Sequence, residues 1–201
     1  MSDADRRKWD QRYRTGAYGE RDYPTPLLAE WASELPRGRA LDVACGAGRN
    51  SLWLAAAGWQ VDAVDISAAG LQRARHTAEL RNLEVSWTEA DLEEDSGRVL
   101  RGSYDLIVVV RYVMGALLPH LIESLAPGGI LLCEQHVDAG EDVIGPKNPA
   151  FRFRHNELLR EVMRCAAPGD RVLFYREGRA ADPDGRPAAL AQIVMRRNGS
   201  G

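Results

Sequence analysis

The sequence predicts an α/β fold with a doubly wound sheet and helices on both faces, and three observations predict it. Short apolar segments alternate with amphipathic ones, as in successive β-α-β units. The segment Leu106 to Val110 is apolar throughout, as expected for a strand that helices cover on both faces. At Leu41 to Ala55, an apolar strand ends in a small-residue turn that opens a helix, which is typical of nucleotide-binding sheets.

Turn residues and hydrophobic periodicity place the first half of the elements. Pro36 stops the second helix, Gly58 stops the third, and Ser67 caps the fourth. The predicted elements, in order, are a polar helix at 3–14, a helix at Pro26 to Glu34, a strand at Ala40 to Ala44, a helix at Arg49 to Ala57, a strand at Gln60 to Val64 and the helix after Ser67.

The second half follows from the same signals and ends in a hairpin. Pro127 stops one helix, and Asp182-Pro183-Asp184-Gly185 forms the last turn. The predicted elements, in order, are a strand at Leu83 to Trp87, a short helix near Gly97 to Arg101, a strand at Leu106 to Val110, a helix at Leu117 to Leu125, a strand at Ile130 to Glu134, a helix at Asn156 to Cys165, and strands at Arg171 to Arg176 and Ala188 to Arg196.

The composition fits one globular domain. The chain has 201 residues, 45% of them hydrophobic, which is enough for one core and too little for two ordinary domains. We expect a single domain over 1–201, with an N-terminal helical lid at 1–36 and a Rossmann-like core at 37–201. The formal charge of −3 argues against a nucleic-acid or anionic-membrane partner.

The amino terminus is charged and lacks the apolar segment of a signal peptide, and no stretch approaches the ~20 apolar residues that span a bilayer. We therefore expect a cytoplasmic monomer or homodimer. The 3 cysteines cannot all pair within one chain, and neither they nor the 4 scattered histidines match a zinc pattern. Reduced thiols and no metal are predicted.

The turn after the first strand carries the first candidate binding residues. Ala44, Gly46 and Gly48 let the backbone approach a ligand closely, and the helix behind them presents unpaired N–H groups. One β-α-β unit further on, Val61 to Ser67 predicts a second buried strand ending in Asp65. A carboxylate at that position can accept both ribose hydroxyls of an adenosine.

Glycine spacing separates the candidate nucleotides. A dinucleotide fingerprint reads G-x-G-x-x-G, but the sixth position from Gly46 is Ser51, so NAD is disfavoured. A P-loop needs Gly-Lys-Ser/Thr where this chain has Gly48-Arg49-Asn50, so ATP hydrolysis is not expected.

The sequence resembles the first two motifs of the class I S-adenosylmethionine-dependent methyltransferases at Asp42, Ala44, Gly46, Gly48, Arg49, Asn50 and Asp65. The run CGAGRNSLWLA is similar to the tellurite-resistance and thiol methyltransferase-like branch. Further segments that look like the family, in chain order, are WDQRY at Trp9 to Tyr13, WTEADLEE at Trp87 to Glu94, YDLIVVVRY at Tyr104 to Tyr112 and LAPGGILLCEQHV at Leu125 to Val137.

The resemblance implies the strand order 3-2-1-4-5-7-6 with strand seven antiparallel, S-adenosyl-L-methionine as donor, S-adenosyl-L-homocysteine as product, and no metal. It also implies a lid that folds over the donor. The cofactor-binding positions that it implies are Arg12, Tyr13, Asp42, Ala44, Cys45, Gly46, Gly48, Asn50, Asp65, Ile66, Asp91, Leu92, Val110 and Arg111.

The acceptor pocket is predicted beyond the fourth and fifth strands, where Arg111, Tyr112 and His136 are candidates. Arg111 either meets an anionic substrate or the donor's carboxylate, or forms a surface salt bridge. Asp42 is expected to hydrogen-bond the N–H groups of the turn, because a buried carboxylate needs partners. The His-Arg pair that tellurite-type members carry in the final hairpin is replaced by Gly178 to Ala181.

The function expected from these observations is methyl transfer to a small molecule, with a soft nucleophile such as a thiol or metalloid oxyanion, or to a small metabolite. No catalytic base is predicted. Two alternatives remain at this point: a non-catalytic regulatory domain that binds the donor or its product, and an NAD-linked oxidoreductase.

Overall fold

The computed structural model describes residues 3–19, 21–95, 100, 102–113, 115–138, 143–182 and 184–199. The described strands are β1 Arg39–Val43, β2 Gln60–Asp65, β3 Ser86–Glu89, β4 Tyr104–Val110, β5 Leu125–His136, β6 Arg171–Ala181 and β7 Pro187–Arg196. The described helices are α1 Asp3–Arg14, α2 Pro26–Ala32, α3 Arg49–Ala56, α4 Ala68–Leu80, α5 Leu118–Glu123 and α6 Glu157–Cys165, with 3₁₀ turns at Gly115–Leu117 and Pro149–Phe151.

All seven strands form one sheet in the order β3-β2-β1-β4-β5-β7-β6. β1 to β5 pair in parallel, whereas β7 is antiparallel to both β5 and β6. The predicted fold class and strand order are therefore confirmed. The winding direction reverses between β1 and β4, so a ligand is expected at the carboxyl ends of these two strands.

The centre of the sheet is buried on both faces, which explains why β4 is apolar from Leu106 to Val110. Ile107 and Val109 pack into one apolar cluster, with α5 and α6. Leu106 and Val108 point to the opposite face and pack with α2 and α3. Successive side chains of a strand alternate between faces, so helices on both sides require apolar residues at every position.

Most predicted elements are found within a few residues of their expected bounds, and the strand ends differ most. β5 begins at Leu125 rather than Ile130, because Leu125 pairs with Tyr104 before a register shift at the Pro-Gly-Gly turn. Gly129 is required there, since a Cβ would lie 2.7 Å from the Tyr104 carbonyl oxygen. β6 continues to Ala181, five residues beyond the predicted end at Arg176, because it stays paired with β7 as far as the turn.

The helix predicted near Gly97 to Arg101 falls almost entirely outside the described residues. Within the described ranges, every helix is too short or too polar to cross a membrane. Cys45, Cys133 and Cys165 are free thiols. The described part of the chain has no group of three His, Cys, Asp or Glu side chains that could hold a metal ion.

Candidate functional site

The turn after β1 passes through three left-handed residues, Ala44 at φ 55°, Gly46 at φ 59° and Gly48 at φ 77°. The Cys45 N–H donates to the Val64 carbonyl at 3.0 Å, and this bond ties the turn to the end of β2. The turn therefore presents its backbone at the carboxyl edge of the sheet, immediately before α3.

Asp65, at the end of β2, holds this turn directly. Its Oδ2 accepts the Gly46 N–H at 2.7 Å and its Oδ1 accepts the Ser67 N–H at 2.8 Å. Burial raises the pKa of this carboxyl, and the N–H groups of Ser67 and Gly46 oppose that rise. The Ile66 N–H also acts on this carboxylate, but a carboxylate has about four lone-pair sites, so acceptor capacity remains for ligand hydroxyls.

Tyr13 of α1 covers the turn. A Cβ at Gly46 would collide with the Tyr13 hydroxyl, and one at Gly70 would lie 3.1 Å from the Tyr13 ring. Two glycines therefore make room for this side chain. Burial, followed by the nearby charge of Asp65, raises the pKa of Tyr13 well above its usual value, so the phenol stays neutral.

Asp10 and Arg73 dock α1 on α4. The Asp10 carboxylate accepts the Ser67 hydroxyl at 2.7 Å and the Ala69 N–H at 3.0 Å, and thus caps the first turn of α4 from outside. The Arg73 guanidinium donates to the carbonyl oxygens of Tyr13 at 3.2 Å and Ala17 at 2.9 Å. No residue of α1 is fully buried, so these polar contacts and the packing of Tyr13 against Gly46 and Gly70 define its position.

Beneath the turn, the buried Asp42 carboxylate accepts the Ser51 hydroxyl at 2.5 Å. Burial raises its pKa to about 6 against the opposing effect of Ser51. The expected anchor to the turn's own N–H groups is therefore replaced by a bond to the first turn of α3. Asn50 accepts the Thr25 N–H at 2.9 Å and so connects α3 to the segment before α2.

The residues expected near the adenine lie along the same edge. Ile66, Asp91 and Leu92 are buried, and Asp91 accepts the Glu93 N–H at 2.9 Å. Burial and the charges of Glu93, Asp91 and Asp65 raise the pKa of Tyr112. Tyr112 is thus a neutral hydroxyl beside the acidic end of β2 and β3.

Arg111, beyond β4, is held by two buried carboxylates. Its Nε donates to Glu134 at 3.2 Å, its Nη1 donates to Asp182 at 3.0 Å, and its Nη2 contacts the other Asp182 oxygen. Glu134 also accepts Gln192 Nε2 at 2.7 Å. Arg111 has φ 59°, and its own N–H donates to the Glu134 carbonyl at 2.7 Å. These ion pairs are buried, which differs from the surface salt bridge considered above.

The final hairpin and the N-terminal segment meet at Arg111. Arg21 donates to Asp182 at 3.2 Å and lies 3.5 Å from Asp184. His136, at the end of β5, is 7% exposed, and its buried Nδ1 has no partner among the described residues. Burial, with Arg111 and Arg152 nearby, lowers the pKa of His136 to about 4, so the imidazole is neutral at pH 7.

The structure brings Tyr13, Gly46 and Asp65 together, with Ala44, Cys45 and Gly48 in the same turn. Arg12 lies apart from them, because it is exposed and its guanidinium carbon lies 5.0 Å from the centre of the Trp9 ring. Val110 is half-buried at the end of β4. Functional candidates that sequence reasoning missed are Asp10, Arg21, Arg49, Glu134 and Asp182. Of these five residues, only Glu134 had a signal in the sequence, because it is a carboxylate inside an apolar strand.

Residues 40–129 match the family model of the methyltransferase domain. That match includes β1, the glycine turn, Asp65 and the start of β5. With the strand order and the antiparallel β7, this match makes the chain similar to the class I S-adenosylmethionine-dependent methyltransferases.

Within that class the chain is similar to TehB. It is 29% identical over 127 residues to a probable S-adenosyl-L-methionine-dependent methyltransferase TehB of Haemophilus influenzae, covering 60% of this chain and 43% of the relative. Hemagglutinin 1 of Eikenella corrodens is 29% identical over 168 residues, 78% of this chain and 53% of the relative. The chain thus spans about half the length of these curated relatives. The crystal structure of TehB from Haemophilus influenzae superposes with a TM-score of 0.70 at 23% identity, covering 94% of this chain and 67% of that one.

Proposed function

We propose that this protein transfers a methyl group from S-adenosyl-L-methionine to a small molecule that presents a soft nucleophile, such as a thiol or a metalloid oxyanion. One observation carries the proposal. The Asp65 carboxylate, at the end of β2, accepts the N–H of Gly46 in the turn after β1, and Tyr13 covers both. This is the arrangement expected of an adenosyl site, and an ordinary packed turn would not require it.

The residues of this site fit the donor. The Tyr13 hydroxyl occupies the space that a side chain at Gly46 would fill, so a ligand at this turn would contact that hydroxyl together with the backbone. Asp65 keeps acceptor capacity for the two ribose hydroxyls, and Tyr13 offers a neutral hydroxyl beside the turn. The buried pair Asp91 and Leu92 would contact the adenine, as the resemblance implies.

When bound, the donor supplies a methyl group already activated on a sulfonium; the nucleophile forms a bond to that methyl carbon as its bond to sulfur breaks, and S-adenosyl-L-homocysteine leaves. The protein has to align the reactants and exclude water, which can account for on the order of 7–11 kcal/mol of the barrier. Here α1 closes over the turn, and Arg111 is fixed by Glu134 and Asp182.

A soft nucleophile agrees with what surrounds the acceptor side. His136 and Tyr112 are both neutral at pH 7, and the nearby carboxylates Glu134 and Asp182 are occupied by guanidinium groups. A thiolate or an oxyanion needs no strong base, because it arrives deprotonated or nearly so. The final hairpin lacks the expected His-Arg pair, but His136 on β5 supplies an imidazole on the acceptor side.

The NAD alternative is disfavoured by packing at Ser51. This residue stands where a dinucleotide fingerprint has its third glycine, and it is fully buried with its hydroxyl bonded to Asp42. The regulatory alternative uses the same donor site, so only turnover separates it from an enzyme. Release of S-adenosyl-L-homocysteine with any acceptor from a panel of thiols, selenite and tellurite excludes the regulatory alternative.

The donor site is tested by calorimetric titration of S-adenosylmethionine, S-adenosylhomocysteine and NADH into wild type, Asp65→Asn and Asp62→Asn. We expect both adenosyl ligands to bind wild type and to bind Asp65→Asn at least about tenfold more weakly, or about 1.4 kcal/mol. Asp62 lies on the same strand but pairs with Arg39, so its substitution should leave affinity unchanged. Binding of NADH alone, or equal affinities in the two variants, would contradict the proposal.

A further inference from the structure

Three arginines converge on the acceptor side of the turn, and we call Arg21, Arg49 and Arg111 the arginine cluster. Two of them have carboxylate partners. Arg111 pairs with Glu134 and Asp182, and Arg21 pairs with Asp182 and Asp184. Their charges are therefore compensated within the protein.

Arg49 differs from the other two. Among the described residues, its guanidinium has one hydrogen-bond partner, the Thr25 hydroxyl at 3.0 Å, and no carboxylate within ion-pair distance. A guanidinium has five N–H donors, so most of its donor capacity is unused although the side chain is half-buried.

The surroundings of Arg49 add positive charge. It is the first residue of α3, where the helix dipole contributes about half a positive charge. Burial lowers its pKa, and so do the charges of Arg111 and Arg21, against the opposing charge of Glu134. An anion placed here would give Arg49 the direct ion pair that it lacks among the described residues.

The position of Arg49 separates it from the donor's ribose. The charges that act most strongly on Arg49 belong to the ends of β4 and β5 and to the N-terminal segment at Arg21, and the charge of Asp42, beneath the turn, acts least. Those acting on Tyr13 come from Asp65, Cys45, Tyr18 and Arg73. The Arg49 side chain reaches Thr25, in the segment that carries Arg21, and thus lies on the acceptor side of the turn, whereas Tyr13 lies against Gly46 and Gly70 on the ribose side.

We propose that Arg49 binds an anionic group, a carboxylate or comparable oxyanion, of the methyl acceptor, with Arg21 and Arg111 held around it by Asp182. This assignment to the acceptor rests on the proposed function. It narrows the acceptor to small compounds that carry both a soft nucleophile and a negative charge, or an oxyanion that is both. Neutral thiols would lack the group that Arg49 recognises.

The test uses 3-mercaptopropionate as the probe and 3-mercaptopropan-1-ol as its neutral analogue. Calorimetric titration is run on wild type, Arg49→Gln, Arg49→Lys and Arg81→Gln, both free of donor and saturated with S-adenosylhomocysteine. Arg81→Gln removes the same charge at an exposed position after α4. We expect wild type and Arg81→Gln to bind the carboxylate at least about tenfold more tightly than the alcohol. Arg49→Gln should lose this difference and Arg49→Lys should retain part of it.

Equal binding of the two probes by wild type, including no binding of either, overturns the proposal. So does a preference for the carboxylate that survives in Arg49→Gln. A second pair of ligands identifies the competing role, in which Arg49 serves the donor's own carboxylate. If Arg49→Gln weakens binding of S-adenosylmethionine but not of methylthioadenosine, which lacks the amino-acid end, the acceptor assignment is wrong.

Failure of the proposed function is distinguishable from failure of this inference. A wild type that does not bind S-adenosylmethionine removes the methyltransferase proposal and the acceptor assignment with it. The donor-free titration still shows whether Arg49 binds a carboxylate. Tight donor binding with no preference for the anionic probe removes only the role of Arg49.

Discussion

The His136 imidazole is buried at the end of β5 with its Nδ1 unpartnered, and it has a pKa of about 4 against an ordinary 6.5. Between these values the unfolded chain binds a proton that the folded protein does not, so stability falls as the pH falls. We predict that, when the pH is lowered from 7 to 5, the unfolding free energy of His136→Gln falls by about 2 kcal/mol less than that of wild type. Urea denaturation at both pH values measures this loss.

His120→Gln is the control for that prediction, because His120 is exposed on α5. It should follow the wild-type pH dependence. Identical pH dependence in wild type and His136→Gln would show that folding does not lower the pKa of His136.

At this scale the sequence predicts where side chains lie along a strand better than what they bind. The positions of Asp65 and Asp42 follow from the strand pattern, since each is a carboxylate at a known point of a β-α-β unit. The isolation of Arg49 and the burial of His136 depend on residues from other parts of the chain. Neither follows from local pattern.

At the scale of elements, α1 is a helix without a buried residue that Asp10 attaches to the first turn of α4. We predict that Asp10→Ala leaves the global unfolding midpoint nearly unchanged but lets α1 open locally. Loss of hydrogen bonds to a charged group should make the α1 amides exchange about tenfold faster or more. Hydrogen exchange measures this, and S-adenosylhomocysteine should dissociate faster.

Gln11→Ala is the matched control, because Gln11 is the exposed neighbour of Asp10 on α1. Unchanged exchange in Asp10→Ala would mean that Arg73 and the packing of Tyr13 are enough to hold the helix. The sequence predicts the existence of α1 and its range of 3–14, but it contains no local sign of docking. The differing strand ends, at Leu125 and Ala181, also have nonlocal causes, because cross-strand pairing decides them.

At the scale of the whole molecule, Asp182 connects three distant parts of the chain. It joins the final turn to Arg111 after β4 and to Arg21 before α2. We predict that Asp182→Asn lowers the unfolding free energy by about 3–5 kcal/mol, because it leaves two largely buried guanidinium groups without this carboxylate. Asp184→Asn, in the same turn, should lower the unfolding free energy much less, since Asp184 is more exposed. Equal losses in the two variants, measured by urea denaturation, would contradict this ranking.

The strand order was available from the sequence only through the resemblance, since periodicity does not report which strands are neighbours. The bond between Arg21 and Asp182 spans 161 positions and had no signal in the sequence. Charges at this distance pair only after the sheet has brought both ends of the chain to one edge.

The contact between Arg21 and Asp182 also affects the order in which the two sides of the site can form during synthesis. Residues 3–92 contain Tyr13, Gly46, Asp65 and Leu92, so the groups that the proposed function assigns to the adenosyl part of the donor all precede β4 in the chain. Arg21 and Arg111 also emerge before Asp182, so neither can pair with that carboxylate until residue 182 has been synthesised. Long-range contacts of this kind form late. A growing chain can therefore assemble the adenosyl side first, and the acceptor side becomes competent only when the last hairpin pairs with β5.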